Sequence, residues 1–158
     1  MKLSFGMIFS IILIIVFISF AFYAIQKFLW IQDAVKVGQF VDGLKSDVNK
    51  MWNAQKGSDE FEYFLPKKIE SVCFVDYSSS KKGVNQELYD KLKQFYYEYE
   101  NLIFYPGGSA EGANAFNIEH INLEKITENE NPFCIENTKG KIKMTIKKGY
   151  DDDLVMIE

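Results

Sequence analysis

The chain has 158 residues, enough for one ordinary domain or a small domain with an anchor. Apolar residues make up 47% of it, yet the mean hydropathy is only −0.13, so they must be unevenly placed. Eighteen Lys, no Arg and 22 acidic residues give a net charge of −4. That balance argues against nucleic acid as a partner, because the bidentate guanidinium contacts that read bases are missing. The 14 Phe, 9 Tyr and 2 Trp argue against disorder.

Residues 3–25 form a run of 23 without a charge, and 15 of them are Leu, Ile, Phe or Val. At about −0.3 to −0.6 kcal/mol each, these favour membrane insertion by roughly 5–9 kcal/mol. About 20 apolar residues span a bilayer core, so residues 1–27 are predicted to be a transmembrane anchor with lipid as its partner. Lys2 and Lys27 bracket the run, and Phe28 and Trp30 stand where interfacial aromatics would. A cleaved secretory signal is the rival reading. Its apolar core would be only about 7–15 residues, and Ser19-Phe20-Ala21 is a poor cleavage site. Lys27, Lys36 and Lys45 do not favour export of the C-terminal side, whereas the cysteines and the resemblance given below do. Gly6, Ser10, Ala21 and Ala24 fall within about 60° of one another around the helix. They form either a helix-packing face or the scatter of small residues any membrane helix carries.

No breaker follows the span. Trp30, Ala34, Val37, Val41, Leu44, Val48 and Met51 alternate at spacings of four and three, a heptad seam on an amphipathic stalk predicted over residues 28–56. One helix is expected from the membrane to about residue 54, ended by Gly57-Ser58-Asp59. Gly38 and Gly43 each weaken it by about 1 kcal/mol relative to Ala, and a bend is expected there. The seam packs either on the chain's own globular domain or between subunits.

Residues 57–158 hold 12 Lys and 19 acidic residues and so carry about −7. Strands are predicted over 61–65, 69–77, 102–105, 116–123 and 154–157, with a helix over 85–99 that buries Leu88, Leu92, Phe95, Tyr96 and Tyr99 on one face; this helical spacing favours core packing over a base- or sugar-stacking platform on the aromatic run 95–99. Residues 133–137 and 141–147 read as a hairpin around Thr138-Lys139-Gly140, with Ile142, Met144 and Ile146 inward and lysines outward. The expected fold class is α+β: a long helix, then a small, mostly antiparallel sheet laid against the stalk and one short helix.

Cys73 and Cys134 both lie beyond the span. They form either one disulfide in an exported domain or two reduced, buried thiols. His120 is the only histidine and there is no Cys-x-x-Cys, so no metal centre is expected; His120 reads as a surface or half-buried strand residue. Asp151-Asp152-Asp153 lacks the ligand periodicity of a calcium loop and reads as a solvated turn. The glycine-rich stretch 107–112 lacks the lysine of a phosphate loop and reads as a mobile loop. With no catalytic signature and no cofactor motif, an enzyme is not expected.

Met1-Lys2-Leu3-Ser4-Phe5-Gly6, the apolar span through Ile25 and the heptad through Met51 together resemble the N-terminal third of a type IV pilin or archaeal pilin-like protein. The chain departs from that family at two points: Gly6, the one candidate for leader processing, has no basic residue beside it, and Ile11 stands where the family carries a glutamate. The resemblance implies a structural subunit or minor component at the cell surface, meeting further copies or pilin-like partners through its N-terminal helix. The alternative is a monomeric, membrane-anchored binding module that acts through its sheet domain.

Overall fold

The computed structural model describes residues 5–97 and 99–158. Lys2 and the start of the charge-free run at Leu3 lie outside the described residues. The fold is α+β: helix α1 (Phe5–Asn53), then, among the described residues, seven strands and two short helices. The chain divides inside α1, the first compact unit ending at Gln32 and the second being Asp33–Glu158.

In the first unit no described side chain is buried. The uncharged stretch makes α1 long and apolar enough to cross a membrane. Two serines bond locally within the helix. Ser10 Oγ donates to the Gly6 carbonyl at 2.9 Å, and Ser19 Oγ to the Ile15 carbonyl at 2.8 Å.

In the second unit α1 is a core helix, and its regular geometry continues through Gly38 and Gly43. Two antiparallel sheets surround it where one sheet was expected. The first has the order β1-β6-β7, with β1 Gly57–Phe64, β6 Lys141–Lys148 and β7 Met156–Ile157. The second has the order β4-β3-β2-β5, with β2 Ser71–Phe74, β3 Leu102–Tyr105, β4 Ala115–Phe116 and β5 Phe133–Glu136. Alternation assigns the faces. Val72, Phe74, Leu102 and Phe104 join α1 and the first sheet in the main core. Cys73, Val75 and Ile103 point the other way and form a second cluster with Leu92 of α2 (Gln86–Leu92). Both faces of β2 are thereby covered, and all four of its residues are buried.

Several local expectations need correcting. The 85–99 helix stops early: α2 ends at Leu92, a 3₁₀ turn covers Lys93–Phe95, and Tyr96 is already extended. Once Leu88 and Leu92 have met the sheet, the chain must turn to enter β3, and the aromatic run has little helix propensity to resist. Tyr99 is therefore exposed instead of buried. The hairpin is also not one. Thr138 and Lys141 exchange both backbone hydrogen bonds, as its turn requires, but β5 then pairs with β2 and β6 with β1. The local turn was readable; the partners were set by burial elsewhere in the chain.

The 116–123 strand shrinks to β4. Ile118 bonds its N–H and carbonyl to the Asn101 side chain, both at 2.9 Å, and His120 takes a positive φ of 64° that ends any strand. Asn122 then caps helix α3 (Leu123–Ile126) by accepting from the Lys125 N–H at 3.1 Å. Residues 57–59 open β1 instead of terminating the helix, which ends at Asn53. The 107–112 loop is held down: Asn114 Oδ1 accepts from the Gly108 N–H at 2.9 Å, and Ala110 is buried.

Candidate functional site

Two features were singled out on α1 and one in the sheets. Gly6, Ser10, Ala21 and Ala24 are all exposed on the first unit. Near the end of that unit, Lys27 Nζ sits 5.6 Å from the centroid of the Trp30 ring, an arrangement suited to a bilayer interface.

Of the seam residues, Trp30 is exposed in the first unit and Ala34 is half-buried. Val37, Val41, Leu44, Val48 and Met51 are buried in the second unit against its own sheets. Phe40 is buried with them and was missed, because a strict heptad omits it. A globular helix buries a wider stripe than a coiled-coil seam, with apolar residues three and four apart.

Gly43 seats Tyr63: a Cβ there would meet the ring at 3.4 Å. The Phe40 ring meets Tyr63 edge-on at 5.3 Å, and the phenol donates to Asp47 Oδ2 at 2.9 Å. Burial, with the Asp47 carboxylate beside it, pushes the Tyr63 hydroxyl far above its ordinary range. At the end of α1, Lys148 Nζ donates to the carbonyls of Trp52 at 2.6 Å and Ala54 at 3.2 Å, satisfying acceptors that a helix C-terminus leaves open.

Cys73 and Cys134 are joined as a disulfide, directly opposite each other on β2 and β5 with Cα atoms 4.0 Å apart. The buried Asn131 stands just before β5. Its amide donates to the Asp76 carbonyl at 2.8 Å and to Ser79 Oγ at 3.0 Å, and its Oδ1 accepts from the Asp76 N–H at 3.1 Å. Nothing in the sequence marked this residue, because a buried asparagine declares itself only through non-local partners. Burial pushes the Asp76 carboxyl up, but hydrogen bonds from Ser78 and Ser79 outweigh this and hold it below its ordinary value.

Asp152 and Lys68 are engaged structurally. Asp152 accepts from the Gly149 N–H at 2.9 Å and from Lys125 Nζ at 3.2 Å, which together hold its pKa down. Lys68 pairs with Asp33 at 2.9 Å and with Glu111. Among the described residues no group of three His, Cys, Asp or Glu side chains is placed to hold a metal ion.

Two clefts adjoin at Asn117. One, of about 460 Å³, is lined by Lys45, Ser46, Asn49, Asn117, Glu119 and His120. His120 stacks on Trp52, with ring centroids 3.7 Å apart and planes 4° from parallel. The other, of about 470 Å³, is lined by Tyr97, Tyr99, Glu100, Ala115, Phe116 and Asn117. No family model, curated protein or solved structure matches this chain.

Proposed function

We propose that this is a single-pass membrane-anchored surface protein, a pilin-like structural subunit or minor component whose globular domain lies outside the cell membrane. The observation that carries the reading is the one helix, Phe5–Asn53, which is bare and apolar along its first half and a core element along its second. A soluble chain gains nothing by holding that much apolar surface in water. The Cys73–Cys134 bridge supports an extracytoplasmic domain, since disulfides persist in oxidising compartments. Small residues at Gly6, Ser10, Ala21 and Ala24 would let neighbouring anchors approach closely.

One observation favours a second reading, a monomeric anchored binding module. From Val37 to Met51 the seam is spent inside its own domain, so it is not available to pair subunits there. Any bundling would have to use the first unit. Sizing the detergent-extracted full chain separates the two readings. An assembly of many copies supports the pilin-like subunit, and a monodisperse single copy supports the module. Release of the intact chain by alkaline carbonate washing would contradict both.

A further inference from the structure

We propose that the two clefts adjoining at Asn117 form a binding groove for a neutral oligosaccharide. The inference does not depend on whether the anchors associate.

The aromatic end of the groove is unusual for this chain. Tyr97 and Tyr99 are each 78% exposed. They stand out because the chain leaves its 3₁₀ turn at Phe95 and then folds back: the Tyr97 N–H donates to Glu100 Oε2 at 2.6 Å. Tyr97 and Tyr99 both line the cleft with Phe116. Tyrosine offers a large apolar face at little entropic cost, with a hydroxyl at its tip. The C–H face of a pyranose ring matches such a face.

The other end of the groove is polar but unbiased. Asn117, Asn49 and Ser46 each both donate and accept, and the charges are of opposite sign, Lys45 against Glu119. The Lys45 ammonium already lies over the Phe116 ring, 6.0 Å from its centroid. These opposed charges select for neither sign of ligand, whereas a hydroxyl can serve every one of these groups. An anionic lipid headgroup fits poorly, because the surrounding residues 57–158 carry about −7. Each cleft falls within the roughly 300–1,000 Å³ range of small-ligand sites.

The test uses the full chain in a zwitterionic detergent without a sugar headgroup. Calorimetric titrations with chitohexaose, cellohexaose and maltohexaose are compared with the same titrations of Tyr97→Ala, Tyr99→Ala and Tyr150→Ala. At least one saccharide should bind with Kd near 1 mM or below, roughly −4 kcal/mol. Tyr97→Ala and Tyr99→Ala should each weaken it about tenfold with an unchanged melting temperature, as expected when an exposed anchor is truncated. Tyr150, exposed but outside both clefts, should be silent. Absence of saturable binding by all three saccharides would overturn the proposal. So would affinity that survives both cleft substitutions, or binding of an unfolded polypeptide in this groove in their place.

Discussion

From Phe5 to Gln32 every described side chain of α1 is exposed, whereas between Val37 and Met51 six side chains of the same helix are buried. Backbone geometry is shared along its length; only the surroundings differ. Through Ile25 the first stretch carries no charge and presents apolar side chains on every face, as suits a helix that crosses a membrane. In the second they are apolar along one stripe and polar elsewhere, as a domain core demands. On the membrane-anchored reading proposed above, this is one helix written for two solvents, with the change of rule falling after Gln32, where the second compact unit begins.

The largest expected effect breaks the domain half alone. Leu44 is fully buried and Lys45, its neighbour, is exposed. Leu44→Asp should cost more than about 4 kcal/mol by placing an unpaired charge in the core, while Lys45→Asp stays within about 0.5 kcal/mol. Denaturant titration of the full chain in detergent checks this. Equal midpoints for the two variants would mean the stripe is not buried.

The bridge is next. The cysteines are 61 residues apart, so the loop-entropy model gives the disulfide about 4 kcal/mol. A Cys73→Ala, Cys134→Ala double variant should lose that much domain stability and leave helicity of the anchor half intact. Loss of both together, followed by circular dichroism through denaturation, would couple what the comparison separates.

A charge in the anchor half should have the opposite pattern. Ile14→Asp should cost about 3–4 kcal/mol of insertion free energy, read as a shift from membrane to soluble fraction. Domain melting should not move. A lowered domain midpoint would show that Ile14 is packed on protein.

The smallest expected effect is alkaline destabilisation. Burial raises the hydroxyls of Tyr63 and Tyr77 above their ordinary value, and both lie in the second unit. A group whose folded pKa is raised contributes stability that is complete below its unfolded pKa, about 10 for Tyr, and is lost as pH rises beyond it. The domain midpoint should therefore be flat from pH 7 to about 9 and fall above about 10. Tyr63→Phe should flatten part of that fall.

The helix was legible because its signals are local: charge-free length in one half and a three-and-four stripe in the other. Strand β6 was legible for the same reason, alternating Ile142, Met144 and Ile146 with lysines. What escaped depended on partners far along the chain. The turn at residues 138–141 was readable, but the assignment of β5 and β6 to different sheets was not. His120 and Asn101 end a strand that alternation alone would continue, the first by a positive φ and the second by bonding Ile118. The groove at Asn117 was hidden for a further reason. Its tyrosines become a surface feature only because the helix ends at Leu92, and spacing alone had put Tyr99 in the core.

The most direct test of the two-solvent helix is an accessibility scan along α1. Single spin labels are placed in turn at residues 8–50 of the full chain in lipid vesicles, and their collisions with oxygen and with a water-soluble nickel chelate are measured. The expected result is lipid-like oxygen access across the uncharged span, lowered only along the face of Ser10, Ala21 and Ala24 where neighbouring anchors pack. From Val37 to Met51 access should instead oscillate every 3.6 residues, with minima at Val37, Val41, Leu44 and Val48 for both reagents. Low oxygen access all round the uncharged span, or lipid-like oxygen access at Leu44, would contradict the account.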